Sequence, residues 1–133
     1  MTNKVFLGGT YNGSKWREEL KPLLTVPYYD PVVPVWNAEA QQEEWLQKNE
    51  ARVRLYVITP KMTGVFSIAE VVDDSNKYPH RTLLVILTDD GGVFSTHQLQ
   101  SLQATAGIVS GNGAGVAYTL DQAAEIINEL CTE

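Results

Sequence analysis

The chain has 133 residues, 44% of them hydrophobic, with 10 Lys and Arg against 16 Asp and Glu and a formal net charge of −6. That length and apolar share suit one domain over residues 1–133 with a single well-formed core, and the acidic balance argues against a basic face for polymeric nucleic acid. No apolar run approaches the roughly 20 residues that span a bilayer.

The amino terminus also lacks the basic region and long apolar core of a signal peptide, so a soluble, cytoplasmic chain with no membrane partner is expected. Cys131 stands alone, which rules out an internal disulfide and reads as an ordinary free thiol.

The first predicted strand covers 4–9 and runs into Gly8-Gly9-Thr10-Tyr11. Two glycines at a strand end let a planar or sugar ligand approach the backbone, and the Thr10 and Tyr11 hydroxyls can hold ligand hydroxyls; a plain tight turn is the other reading. The turn lacks GxGxxG and a P-loop lysine, so neither Rossmann-type NAD binding nor ATP hydrolysis is supported, and no cofactor is expected. Asn12-Gly13 then leads to Ser14 as a cap for a helix over 14–24, with Trp16, Leu20 and Leu23 on its inner face.

A second strand over 27–30 ends at Asp30, followed by the irregular Pro31-Val-Val-Pro34-Val35 and then Trp36. Trp36 either covers a base beside a strand-end pocket, packs on the rim, or meets a second subunit. The helix over 38–51 is crowded with Glu39, Gln41, Gln42, Glu43, Glu44, Gln47 and Lys48, leaving Ala38, Trp45, Leu46 and Ala51 for burial. It reads as a rim helix with a Glu44–Lys48 pair at i,i+4.

The third strand, over 53–59, carries the apolar run Leu55–Thr59, of the kind found in buried parallel sheets. A helix over 66–77 follows Gly64 and carries Glu70. Ser67-Ile-Ala-Glu70 matches a capping box, in which Ser and Glu satisfy each other's backbone N–H groups. The alternative is chemical: a carboxylate at the end of a buried strand, near Gly64 and the Gly8–Tyr11 turn, is a competent nucleophile at a sugar carbon.

The fourth strand covers 81–87, with Asp89-Asp90-Gly91-Gly92 behind it as a turn or as acids at the crevice. A helix over 95–106, the turn Ser110-Gly111-Asn112-Gly113 and a strand over 114–118 come next. A helix over 120–131, capped by Thr119, carries the apolar stripe Ala123, Ile126, Ile127 and Leu130. His80 and His97 lack Cys or acid partners at ligand spacing, so no metal site is expected. Strand and helix alternate throughout, which predicts an α/β fold: a flavodoxin-like, doubly wound, five-stranded parallel sheet with flanking helices.

Lys4-Val-Phe-Leu-Gly-Gly-Thr10, Trp16-Arg17-Glu18-Glu19-Leu20, Tyr29-Asp30-Pro31, Tyr56-Val-Ile-Thr-Pro60 and Gly64-Val-Phe-Ser-Ile-Ala-Glu70 together resemble the nucleoside 2-deoxyribosyltransferase-like proteins. The resemblance implies a transferase in which Glu70 attacks the anomeric carbon of a 2′-deoxynucleoside, expels the base and forms a covalent deoxyribosyl-enzyme that a second base or water resolves. It puts a polar residue at Asp30 near the nucleobase, which makes Asp30 the first candidate, beside Asp89 or Asp90, for the acid that protonates the base; Gly8, Gly9, Thr10, Tyr11, Trp36, Gly64 and Ser67 are the candidate substrate contacts. It also implies a homo-oligomer in which a neighbouring subunit completes each pocket, Asn112 being the nearest candidate.

The chain departs from that pattern over Thr59-Pro-Lys-Met-Thr-Gly64, where better-characterised members carry a sugar-binding aspartate. The expected activity is therefore deoxyribosyl transfer or N-glycosidic hydrolysis on a nucleoside or nucleotide. The first rival is a non-catalytic protein that binds a nucleotide or nucleotide-derived signal in the same pocket. The second is a structural module in which Glu70 is only a cap.

Overall fold

The computed structural model describes residues 1–11 and 13–132. Five strands, β1 (Val5–Gly9), β2 (Tyr28–Tyr29), β3 (Val53–Ile58), β4 (Thr82–Ile86) and β5 (Gly115–Ala117), form one sheet in the order β2-β1-β3-β4-β5. Every pairing is parallel. Five helices connect and flank them: α1 (Trp16–Leu20), α2 (Ala38–Glu50), α3 (Phe66–Lys77), α4 (Thr96–Gly111) and α5 (Leu120–Thr132). This is the flavodoxin-like doubly wound arrangement that the alternation predicted.

Side chains alternate across the sheet and feed two separate cores. Val5, Leu7, Val53, Leu55, Val57, Leu83 and Val85 point to one face, where they pack with Trp16 and Leu20 of α1 and with Ala123, Ala124, Ile127 and Cys131 of α5. Tyr56, Ile58, Leu84 and Ile86 point to the other, against Val71 of α3 and Leu102, Ala106 and Val109 of α4. All six residues of β3 are buried: the apolar ones as the sequence predicts, and Arg54 with them.

Several local expectations change. The first helix spans only Trp16–Leu20 and continues as a 3-10 turn over Lys21–Leu23, because Pro22 cannot donate to the α-helical ladder. Leu23 is consequently exposed. Ser14 accepts the Trp16 N–H at 3.3 Å, and the Asn12 half of the expected turn lies outside the described residues. The fourth helix runs past residue 106 to Gly111, opens with a capping box between Ser95 and Gln98, and is ended by Gly113 at φ 93°. Thr119 caps α5 through the Gln122 N–H, as expected.

The rim helix α2 buries none of its residues: Trp45 is 67% exposed and Leu46 42%, so neither packs as the sequence suggested. Its Lys48 also turns away from the expected i,i+4 partner Glu44 and reaches α3 instead. Truncating the α5 stripe, which anchors one face of the sheet, is expected to be severe. Ile127→Ala should cost about 2–5 kcal/mol in urea unfolding, the range for a fully buried branched side chain.

Candidate active site

The chain winds from β1 outward to β2 and then back across to β3, and ligands in open α/β sheets bind where the winding reverses. A cavity of about 430 Å³ opens there. The sheet contributes Phe6, Gly8 and Tyr56, the β1 end Gly9, Thr10 and Tyr11, and the β2–α2 connection Pro31, Val32, Val33 and Trp36. Arg17 lines it from α1 and Glu44 from α2, Met62, Thr63 and Gly64 line it from the β3–α3 connection, and Phe66, Ser67 and Glu70 from the start of α3.

The backbone at the end of β1 is shaped by close approach. Gly9 sits at φ 114°, and a Cβ there would collide with the Val57 backbone of the adjacent strand. Thr10 is tied across the same gap: its N–H donates to Val57 O at 2.9 Å, and its hydroxyl accepts the Thr59 N–H at 3.1 Å. Strand β2 pairs with β1 only as far as Phe6, which leaves the later carbonyls of β1 without a strand partner on that edge. The Arg17 guanidinium supplies the missing donors, at 3.0 Å to Leu7 O and 2.8 Å to Thr10 O, and the Trp16 indole N–H adds 2.6 Å to Thr10 O. Burial lowers Arg17 to about 10, with Asp30 and Glu44 opposing that shift, so the group remains a cation at neutral pH.

Glu70 does not form the capping box. Helix α3 starts at Phe66, ahead of Ser67, and has no side-chain cap, so Ser67 lies inside the first turn. The Glu70 carboxylate turns to the cavity, where Oε2 accepts from Lys48 Nζ at 2.8 Å. Among the described residues Oε1 makes no hydrogen bond. Behind Glu70, one helical turn on, Asp74 accepts from Arg54 at 2.9 Å and from the Tyr56 hydroxyl, and stands 3.5 Å from Lys48. Burial and the hydrogen bond to Asp74 push Tyr56 far above the usual phenol range, so it stays a donor.

Glu44 is the second carboxyl in the cavity and not half of the surface pair that its i,i+4 spacing to Lys48 predicts. Partial burial raises its pKa from the ordinary 4.5, the nearby Glu70 raises it further, and Lys48 and Arg17 oppose both. Asp30 lies outside the cavity lining: it pairs with Lys21 at 2.8 Å and Arg17 at 3.5 Å and accepts the Val32 N–H. Asn112 is also elsewhere, donating to Ser75 Oγ at 3.1 Å near the amino ends of the strands. Asp89 and Asp90 do not line the cavity either.

The remaining candidates are accounted for structurally. Burial raises the Cys131 thiol within the core, and His80 and His97 are exposed. Among the described residues no cluster of His, Cys, Asp and Glu side chains could hold a metal ion, and no helix is long and apolar enough to cross a membrane. No family model, curated protein or solved structure matches the chain.

Two measurements check this electrostatic layout. Asp74→Ala strands the buried Arg54 without its partner and is expected to cost about 3–5 kcal/mol in urea unfolding. Glu44 holds its proton more tightly folded than unfolded, so its stabilising contribution is complete below the ordinary 4.5 and is lost as pH rises through the raised value. Thermal melts of Glu44→Gln, which cannot ionise, should match the parent near pH 4 and exceed it at pH 7.

Proposed function

We propose that the protein is an enzyme of the nucleoside 2-deoxyribosyltransferase-like kind, cleaving the N-glycosidic bond of a nucleoside or nucleotide through a covalent intermediate on Glu70. The observation that carries the reading is the orientation of Glu70, whose carboxylate faces the cavity and is held there by Lys48 at 2.8 Å. A carboxylate fixed at one oxygen and open at the other has the disposition of a nucleophile that also stabilises an oxocarbenium-like transition state. Gly64, with open space where a side chain would stand, leaves room for the sugar beside Gly8 and Gly9, and Tyr11, Trp36 and Phe66 offer aromatic surface for a planar base. Water or a second base then accepts the sugar, making the reaction hydrolysis or transfer.

The reading extends to a cytoplasmic homo-oligomer. The exposed Val32, Val35 and Trp36 beside the cavity supply apolar contact surface, and Asn112 would enter a neighbour's pocket. A second reading, nucleotide or nucleotide-signal binding without turnover, draws on the same Lys48 contact, because a neutralised carboxylate can simply hold a ribose hydroxyl.

The test is to incubate the protein and its Glu70→Ala variant with 2′-deoxynucleosides and their 5′-monophosphates, with and without adenine, and to follow the bases by chromatography. Base release or exchange is expected, falling by about 10⁴-fold or more in the variant, the scale of losing a nucleophile. Ligand bound by the parent without turnover would replace the enzyme reading with the binding one.

A further inference from the structure

We propose that Lys48 drives the second half of the reaction, in which the sugar leaves Glu70, and thereby sets the lifetime of the covalent intermediate; the assignment rests on the role given above to Glu70. Lys48 stands outside the cavity lining, so it is a positioning residue that acts on Glu70 and not on the substrate. Its Nζ donates to Glu70 Oε2 at 2.8 Å, the oxygen that becomes the ester carbonyl once Oε1 carries the sugar. The same ammonium lies 3.5 Å from Asp74 Oδ2 and 5.4 Å from the centre of the Tyr56 ring.

The grip of Lys48 on Glu70 changes through the reaction. An ammonium interacts more strongly with a carboxylate, by Coulomb attraction and by its hydrogen bond, than with a neutral ester oxygen. Forming the intermediate turns the carboxylate into an ester, so Lys48 holds the starting state more tightly than the transition state and adds no acceleration there. Breaking the intermediate regenerates the carboxylate, so the interaction strengthens as negative charge returns to Oε2 and lowers that barrier. A mostly buried ammonium beside a neutral ester needs another counter-charge, and Asp74 supplies it, itself held by Arg54 and the Tyr56 hydroxyl. The face of the Tyr56 ring is a further contact that persists when Glu70 loses its charge. Lys48 therefore keeps its place through the cycle.

In the step it assists, the oxygen of water, or a ring nitrogen of the acceptor base, bonds to C1′ and releases its proton to solvent. The C1′–Oε1 bond breaks, and its electron pair returns to Glu70 as a carboxylate paired with Lys48.

The test times the two halves separately in the parent, Lys48→Met and Lys48→Arg. Helix α2 buries no side chain, so neither replacement opens a core. Each protein is mixed with 2′-deoxyadenosine, quenched with acid at intervals and weighed by mass spectrometry for one added deoxyribosyl unit. The adduct is then separated from free base by rapid gel filtration, and its decay is followed with and without adenine. In Lys48→Met, decay should slow by about 10–10²-fold, the worth of one hydrogen bond to a charged group, while formation stays within about threefold of the parent. In steady state kcat and KM then fall together. Lys48→Arg, which keeps a cationic donor, should recover most of the decay rate. Decay as fast in Lys48→Met as in the parent, or formation slowed as much as decay, would overturn the assignment while leaving Glu70 in place. Base release by the parent with no adduct in any of the three proteins would overturn it as well. Neither base release nor adduct in the parent would remove the Glu70 reading and this one together.

Discussion

A single buried charge constrains much of this architecture. Strand β3 is buried along its whole length, yet its second residue is Arg54, 3% exposed. A guanidinium in that position requires a counter-charge from whatever packs on its face of the sheet, and Asp74 of α3 provides it. That requirement fixes the rotation of α3 about its axis. Glu70 lies four residues earlier, on the same side of the helix, and is therefore turned toward the sheet and the cavity. Lys48 bridges the two carboxylates and brings α2 with it, so the placement of Glu44 also traces back to the charge on β3.

The two faces of the sheet have separate tasks. On one, α1 and α5 cover an unbroken apolar layer. On the other, α3 and α4 cover β3 and β4, while Phe6 and Gly8 of β1 border the cavity. Short β2 and the irregular 31–36 segment leave that part of the face open, and Arg17 supplies the hydrogen bonds that a longer edge strand would have given. The open ground lies at the point of winding reversal, so chain topology and the missing helix cover produce the cavity together.

The fold was readable because it depends on periodicity, which survives in a single sequence: apolar runs at Leu55–Ile58 of β3 and along β4, a clean stripe on α5, and glycine-rich turns between them. The β1 end of the site was readable for a similar reason, since Gly9 is set by its own backbone. Glu44, Lys48 and Asp74 were not, because their significance comes from meeting across elements distant in sequence. The Glu44–Lys48 spacing suggested a local pair, and local geometry does permit one, but the deficit of positive charge beside Glu70 and Asp74 prevails. Ser67 and Glu70 failed as a capping box because α3 begins at Phe66. Trp45 misled for the opposite reason: an aromatic on a helix suggests a core, and α2 has none beneath it.

A helix that buries no side chain contributes little to the global free energy of folding, and its own opening is governed by a few polar tethers: Lys48 to Glu70 and Asp74, Arg81 to the carbonyls of Asn49 and Ala51, and Thr2 to Glu50. Few buried contacts and a handful of polar tethers are the marks of a segment whose opening lies at the low end of the stability range. When it detaches, Glu44 leaves the cavity and Lys48 leaves Glu70 and Asp74, while neither core loses a buried side chain. Ionic strength screens partly exposed tethers far more than apolar layers, so salt would loosen the working face of this molecule well before it melts the scaffold.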